Sequence, residues 1–233
     1  MNFLWQAMAS RLLEFKSLLG PNFERVLIVD QCQPGAKVWW EEACKQTCEA
    51  LCIRSVDDFN QLKDTQMYDL VIWTLPPSQL LHKPLAQAVW TKLRMHTQGF
   101  MIFVTPGPLC IPALNQVLGT DLPNTVLDFH DIGDQLQETG WQRPMLQGQP
   151  LPIQYHKRQT VYEDWMGLGD VASHPLWQVK PIPNPGTMAT PLSHNITFDI
   201  TVGLVYNGPD RTVQQQFDDG TIAIPLNQIK KRS

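Results

Sequence analysis

Residues 20–106 alternate short apolar runs with helix-like segments, and this alternation constrains the fold more than any other feature of the sequence. The four apolar runs are RVLIVD, ALCIRSVDD, YDLVIWTL and GFMIFVTP. An apolar run without polar alternation is typical of a strand buried on both faces of a parallel sheet. Strands that alternate with helices predict βαβ units with right-handed crossovers. The sequence therefore predicts an α/β fold with a mostly parallel sheet, with helices over 37–50 and 79–96.

The whole chain is expected to form a single domain in four parts. An N-terminal helix is predicted over 1–19, ahead of the parallel α/β core over 20–106. Residues 107–195 predict short helices and an irregular lid, because proline and glycine are dense in its second half. The helices expected in the lid span 110–118, 131–139 and 161–172. Alternating β-type residues predict terminal strands within 196–233.

The composition excludes some classes of partner. Charged residues make up 17% of the chain and the formal net charge is −4, so the surface is weakly charged. A nucleic-acid-binding protein needs a basic surface, and we expect no nucleic acid as a partner. No apolar run reaches the roughly 18 residues of a membrane-spanning helix, and MNFLWQAMASRLLEF lacks the pattern of a signal peptide. We therefore expect a cytoplasmic protein that does not enter a membrane.

The five cysteines are predicted to be reduced, because their number is odd and no export signal precedes them. Cys44, Cys48 and Cys52 recur every four residues, which would place them along one stripe of a helix. No fourth metal ligand lies near them in the sequence. The pattern therefore favours small apolar packing residues over a metal site, and we expect no bound metal.

The segment VLIVDQCQPGAKV indicates a binding site. Ligands of parallel α/β sheets bind beyond the carboxyl ends of the strands. Asp30 ends the first strand, and its carboxylate can accept a hydrogen bond from an amino or hydroxyl group. Gly35 lies in the turn before the next helix, where the absence of a Cβ atom lets the backbone approach a ligand. An ordinary tight turn explains Gly35 equally well.

These segments resemble the class I S-adenosylmethionine-dependent methyltransferases. Residues 30–35 are similar to the first motif of that family, and YDLVIWTLPPSQLL and GFMIFVTPGP are similar to its fourth and fifth strands. VLDFHDIGDQLQETGWQRPML is similar to the following helix of one subgroup, the malonyl-[acyl-carrier protein] O-methyltransferases of biotin synthesis. The resemblance covers most of residues 4–206 and is most specific over 66–147. It implies a three-layer Rossmann-like fold, S-adenosylmethionine as cofactor and an acyl-carrier protein or another protein as partner.

The resemblance also implies the residues of a cofactor pocket. Asp30 and Gly35 match the first motif, and Leu75 lies in the loop that passes beneath the sulfonium in the family. Asp57 lies 12 positions before Asp69, the acid of the third apolar run. This interval is too short for a helix and another strand, so one βα unit is expected to be missing. If ALCIRSVDD is the second strand, Asp57 or Asp58 would hold the ribose hydroxyls and the adenine-side loop is lost. If it is the third strand, the adenine loop remains and the ribose acid is lost.

The substrate side of the site is less defined by the sequence. A substrate carboxylate is already ionised at neutral pH, so its methylation needs no general base and no catalytic residue is assigned. Arg143, Lys157 and Arg158 are candidate anchors for such a carboxylate or for an acidic carrier protein. A solvated basic turn is the plainer interpretation of each of them.

Two functions remain open from the sequence. The first is carboxyl methylation of a malonyl group on its carrier protein, dependent on S-adenosylmethionine. The second is a catalytically inactive relative that binds a partner protein. Gln31 and Gln33 replace two family glycines and would crowd the methionine part of the cofactor, which favours the second function. The segment 66–147 is compatible with both functions, because the fold alone could maintain it.

Overall fold

The apolar runs of the sequence form the strands of one sheet in the computed structural model. The structure describes residues 2–19, 23–30, 35–52, 58, 61–62, 66–74, 83–122, 124, 126–168, 195–208, 215–216 and 222–223. The helices are α1 (Phe3–Leu18), α2 (Ala36–Cys44), α3 (Lys83–Met95), α4 (Cys110–Leu118), α5 (Phe129–Glu138) and α6 (Arg158–Met166). The strands are β1 (Val26–Asp30), β2 (Glu49–Cys52), β3 (Tyr68–Thr74), β4 (Thr97–Pro106), β5 (Gln142–Ile153), β6 (Ile196–Tyr206), β7 (Gln215–Gln216) and β8 (Ile222–Ala223). None of the described helices combines the length and the apolar character needed to span a membrane.

The main sheet has six strands in the order β2-β1-β3-β4-β6-β5, and β7 and β8 form a separate pair. The pairings of β1 with β2, of β1 with β3 and of β3 with β4 are parallel. Strand β6 runs antiparallel to both β4 and β5. This arrangement confirms the predicted mostly parallel sheet and places β1 inside it.

The pairing of β2 decides between the two interpretations of the second apolar run. Strand β2 pairs directly with β1, so the run supplies the second strand and its assignment as a third strand is wrong. Within the described residues, no strand pairs with the other side of β2. The described sheet therefore has one βα unit fewer than the family that the sequence resembles, as the short interval before the third apolar run predicted.

Helices cover both faces of the sheet and create two hydrophobic cores. Helices α1, α2, α4 and α6 pack on one face, where Leu12, Trp40 and Trp165 are buried. Helices α3 and α5 pack on the other face, where Trp90 and Leu136 are buried. All residues of β1 are buried because both of its faces are covered, which explains the unbroken apolar run in the sequence.

The boundaries of α2 and β2 differ from the prediction. The expected helix over 37–50 ends early, at Cys44, because Lys45 adopts a left-handed backbone conformation with φ of 54°. The next strand then occupies Glu49–Cys52, ahead of most of the predicted run 50–58. Residues 53–57 lie outside the described part of the chain.

The expectation of an irregular lid needs correction where the structure has strand β5. Within the described residues, this strand pairs with β6 on one side, with a register shift between Gln142 and Met145, and forms one edge of the sheet. Its prolines, Pro144, Pro150 and Pro152, suggested irregular backbone because proline cannot donate a ladder hydrogen bond. On an edge strand, alternate N–H groups point away from the sheet, so proline is tolerated at those positions.

The described cysteines comprise three buried thiols and one disulfide-bonded residue. Cys44, Cys48 and Cys110 are buried and free, and a hydrogen bond with the Cys48 thiol lowers the pKa of Cys44 to about 7. Cys52 is disulfide-bonded, so the prediction of reduced thiols is wrong at this position. The number of cysteines does not reveal which of them the fold brings together. The described residues hold no cluster of three or more His, Cys, Asp or Glu side chains that could bind a metal ion.

Candidate functional site

The carboxyl ends of the parallel strands form one rim of the sheet, and the candidate site is built on this rim. Asp30 ends β1, Thr74 ends β3 and Pro106 ends β4. Ligands of open α/β sheets bind above such a rim. Strand β1 is flanked by a parallel neighbour on each side, so the rim above Asp30 lies within the sheet.

Asp30 is held by a residue that the sequence did not single out. Its side chain is 6% exposed, and its Oδ2 atom accepts a hydrogen bond of 2.7 Å from the indole Nε1 of Trp5 in α1. Hydrogen bonds to an ionised carboxylate are stronger than those between neutral groups. A buried carboxylate requires such donors, and this one gives the Asp30 side chain a defined orientation.

Gly35 immediately precedes α2 and has a conformation that favours glycine. Its φ of 81° and ψ of 0° lie in the left-handed region, where a Cβ atom would introduce strain. The N-cap residue Gly35 has no side chain to accept from the first turn of α2, whose leading N–H groups have no partner within the helix itself. Residues 31–34, including Gln31 and Gln33, lie outside the described part of the chain.

A row of tryptophan rings connects α1 with α2. The Trp5 ring meets the Trp39 ring edge-to-face at 5.7 Å between centroids. The rings of Trp39 and Trp40 meet in the same way at 4.8 Å. Edge-to-face contacts are a favoured arrangement of aromatic rings. Trp5 therefore contacts both the acid that ends β1 and the helix that follows it.

Helix α6 anchors the first turn of α1 through Asp164. The Asp164 Oδ1 and Oδ2 atoms accept hydrogen bonds from the backbone N–H groups of Phe3 and Leu4, both at 3.2 Å. Asn2 caps α1, its Oδ1 atom accepting a hydrogen bond of 2.9 Å from the N–H of Trp5, and the hydroxyl of Tyr155 donates to Asp164 Oδ2 at 2.9 Å. Burial raises the pKa of the Asp164 carboxyl, although these donors act against the shift.

A second acid, Asp199 of the neighbouring strand β6, lies beside the end of β4. A Cβ atom on Gly107 would collide with the carboxyl group of Asp199, so any other residue here would have to displace that side chain. The Asp199 side chain accepts one long hydrogen bond, 3.4 Å from the N–H of Leu109, and burial raises its pKa. Gly107 belongs to the segment that resembles the family's fifth strand and following loop, and its close contact with Asp199 gives that glycine a structural reason.

Solved structures share this architecture at low sequence identity. A cyclopropane-fatty-acyl-phospholipid synthase-like protein from Lactobacillus casei ATCC 334 superposes with a TM-score of 0.50 and 8% identity, covering 86% of this chain and 90% of that protein. The 1,6-didemethyltoxoflavin-N1-methyltransferase of Burkholderia thailandensis, solved with S-adenosylhomocysteine, gives a TM-score of 0.49 and 8% identity over 89% of this chain and 82% of that protein. The chain has the fold of a class I methyltransferase.

Two curated relatives match this methyltransferase-like chain locally. The malonyl-[acyl-carrier protein] O-methyltransferase of Laribacter hongkongensis (strain HLHK9) is 25% identical over 103 residues, 42% of this chain and 35% of that protein. The protein of the same name from Gallionella capsiferriformans (strain ES-2) is 32% identical over 79 residues, 32% of this chain and 27% of that protein. The matches thus span about a third of the length of these relatives. No family model matches the chain. These matches confirm the resemblance to methyltransferases that was predicted from the sequence.

The predicted substrate anchors of the methyltransferase-like chain lie at opposite ends of the sheet. Strand β5 runs in the same direction as β4, because both are antiparallel to β6. Arg143, near the start of β5, is therefore at the end of the sheet away from the rim. Lys157 and Arg158 follow the end of β5 and begin α6 on the rim side. The Arg158 Nε atom is buried and has no hydrogen-bond partner.

Two of the four predicted cofactor residues belong to the described rim and two lie outside the described residues. Asp30 and Gly35 flank the first turn, as predicted. Asp57 and Leu75 stay predictions, since the structure does not describe them. Asp58 is described and accepts a hydrogen bond of 3.4 Å from Gln61.

Sequence reasoning missed Trp5 and Asp164. Trp5 shares the helical spacing of Leu12 and Met8, which signals burial but not the partner of its indole N–H. Asp164 lies in a segment in which the sequence indicated no site residue. No local pattern could identify either contact, because each joins residues far apart in the sequence.

Proposed function

We propose that this chain is an S-adenosylmethionine-dependent methyltransferase that methylates a carboxylate on an acyl group attached to a carrier protein. The observation that carries the proposal is the buried Asp30 carboxylate at the end of β1, followed by left-handed Gly35 ahead of α2. The names of the two curated relatives supply the candidate substrate class.

The residues at the end of β1 fit an adenosyl-sulfonium ligand in two respects. The Asp30 carboxylate can accept a hydrogen bond from an amino or hydroxyl group of the cofactor. Gly35 carries no Cβ atom, and as the N-cap residue it makes no side-chain hydrogen bond to the first turn of α2. Asp57 and Leu75 would add contacts to the ribose and beneath the sulfonium.

The proposed chemistry makes few demands on the protein. When bound, S-adenosylmethionine supplies an electrophilic methyl group. The substrate carboxylate is ionised at neutral pH, so no side chain has to remove a proton from it. The chain then contributes by aligning the carboxylate with the methyl group and by excluding water. A site without an assigned general base is consistent with this reaction.

Arg158 is the favoured anchor for the substrate carboxylate. It follows β5 on the rim side, and its Nε atom is buried without a hydrogen-bond partner. A buried donor without a partner is costly, and a bound carboxylate would satisfy it. Lys157, exposed at the start of α6, would add positive charge that attracts an acidic carrier protein.

Calorimetric titration of the purified chain with S-adenosylmethionine tests the proposal. We expect one cofactor per chain with a micromolar Kd. S-adenosylhomocysteine should bind at the same site and compete, whereas ATP serves as a control for general affinity toward adenosine. No detectable binding at millimolar S-adenosylmethionine would exclude the enzyme proposal.

Replacing Arg158 with alanine should raise the KM for a malonyl thioester about 10- to 100-fold, because one hydrogen bond to a charged group is lost. The kcat should change much less, and the Kd for S-adenosylmethionine should remain unchanged. Arg143→Ala is the matched control, since Arg143 lies at the other end of the sheet. Initial rates of methyl transfer measure both variants, and equal effects of the two substitutions would contradict the assignment of Arg158.

A catalytically inactive relative that binds a partner protein is the second candidate. Two observations favour it: the described sheet ends at β2, and the Asp30 carboxylate already accepts a hydrogen bond from Trp5. The same titration separates the two candidates. A folded chain that binds neither S-adenosylmethionine nor S-adenosylhomocysteine would support the second.

A further inference from the structure

Trp5 joins two parts of the candidate cofactor site, the acid at the end of β1 and helix α2. Its indole Nε1 donates to Asp30 Oδ2 at 2.7 Å, and its ring packs edge-to-face on Trp39 of α2. The Trp5 side chain is 1% exposed. An indole has a single N–H donor and no acceptor, so this hydrogen bond ties the orientation of the ring to that of the carboxylate.

The position of Trp5 depends on helix α6. Trp5 lies in the first turn of α1, where Asp164 accepts hydrogen bonds from Phe3 and Leu4, the two residues before it. The hydroxyl of Tyr155 holds Asp164 from the other side. A continuous path of hydrogen bonds and backbone therefore runs from α6 through the first turn of α1 to Asp30.

We propose that Trp5 is a positioning residue for cofactor binding: its indole N–H orients the Asp30 carboxylate, and Asp164 of α6 holds the first turn of α1 so that Trp5 can do so. This inference rests on the proposed function, because it assigns Asp30 a cofactor to bind. It adds two residues to the site that the sequence resemblance does not include.

The inference separates orientation from packing. Phenylalanine at position 5 would keep an aromatic ring against Trp39 but would remove the donor to Asp30. The carboxylate would then lose the orienting hydrogen bond from the indole, and part of the cofactor's binding free energy would be spent on orienting it. We expect the Kd for S-adenosylmethionine to rise about 10-fold in Trp5→Phe, the effect of one hydrogen bond to a charged group.

A double-mutant cycle in the full chain tests the role of Trp5. The Kd for S-adenosylmethionine is measured by calorimetry for the unmodified chain, Trp5→Phe, Asp30→Ala and the double variant. If Trp5 acts through Asp30, Trp5→Phe should change the Kd by less than about twofold once Asp30 is alanine, which has no acceptor for the indole N–H. A general loosening of the fold would instead add its full effect in both backgrounds, which would overturn the inference.

Trp90→Phe is the matched control. Trp90 is also 1% exposed, and its Nε1 atom has no hydrogen-bond partner, but it packs on the opposite face of the sheet. It should leave the Kd unchanged. Asp164→Asn is the second variant, and it should raise the Kd about threefold or more by weakening the hold on α1.

The outcomes distinguish the two hypotheses. If the unmodified chain fails to bind the cofactor, the proposed function fails and the positioning role fails with it. If the unmodified chain binds the cofactor and both Trp5→Phe and Asp164→Asn bind it as tightly as the unmodified chain does, only the positioning role is wrong. If Trp5→Phe does not fold, the Kd of Asp164→Asn decides.

Discussion

Replacing Asp164 with alanine is expected to lower the free energy of unfolding by about 3 kcal/mol. The carboxylate accepts hydrogen bonds from the backbone N–H groups of Phe3 and Leu4 and from the hydroxyl of Tyr155. Each buried donor left unpaired costs about 1–3 kcal/mol, and the losses overlap because the three donors share one acceptor group. Urea denaturation followed by circular dichroism measures the change.

Asp128→Ala is the matched control for this prediction. Asp128 also caps a helix, accepting hydrogen bonds from the N–H groups of His130 and Asp131 at 2.8 and 2.9 Å. These contacts are exposed to solvent, so water can replace the lost cap and the expected cost is about 1 kcal/mol. Equal losses in the two variants would contradict the special role of Asp164.

The Asp164→Asn variant should also reveal a pH dependence. Burial raises the pKa of Asp164, so the folded chain holds this proton at pH values where the unfolded chain has released it. The stability contributed by the aspartate is therefore greatest below its unfolded pKa of about 4 and falls as the pH rises through the folded pKa. The stability advantage of aspartate over asparagine should be larger at pH 4 than at pH 7.5, and the opposite order would contradict the burial argument.

Replacing Asp30 with alanine is expected to weaken S-adenosylmethionine binding at least about 100-fold. Truncation removes the acceptor proposed for the cofactor and leaves the indole N–H of Trp5 without its partner. Removing one partner of a buried, charged hydrogen bond typically costs about 2–5 kcal/mol of binding free energy. A loss of about 2.7 kcal/mol raises the Kd about 100-fold. Calorimetry gives the affinity and thermal denaturation gives the accompanying loss of stability.

The control for Asp30 is an acid at the opposite end of the same sheet. Asp69 in β3 accepts hydrogen bonds from the N–H groups of Glu24 and Arg25 at 3.1 and 2.9 Å. Asp69→Ala should lower stability but leave the affinity for S-adenosylmethionine unchanged. An unchanged affinity in Asp30→Ala would show that the cofactor site is elsewhere.

The parallel core could be predicted from the sequence because it depends on burial alone. Strands β1, β3 and β4 are covered on both faces, so their residues form apolar runs that can be recognised in the sequence. The other elements depend on their neighbours. The end of α2 depends on a left-handed residue that is not glycine, Lys45, which has no sequence signature. Strand β5 is compatible with its prolines only because it is an edge strand.

The same distinction applies to the candidate site. Asp30 and Gly35 could be predicted because they directly follow a recognisable strand. The contacts of Trp5 and Asp164 could not, because their partners are 25 and about 160 positions away in the sequence. Arg143 and Arg158 have the same side chain, and only the direction of β5 assigns them to opposite ends of the sheet.

The prolines of β5 also affect how copies of this chain behave towards one another. An uncovered edge strand is a template on which a second molecule can add a strand, and such addition leads to aggregation. Pro144, Pro150 and Pro152 remove three donors from this edge, so an incoming strand cannot form a continuous hydrogen-bonded ladder along it. Substituting them with threonine should therefore make the chain more prone to self-association while its own pairing with β6 remains.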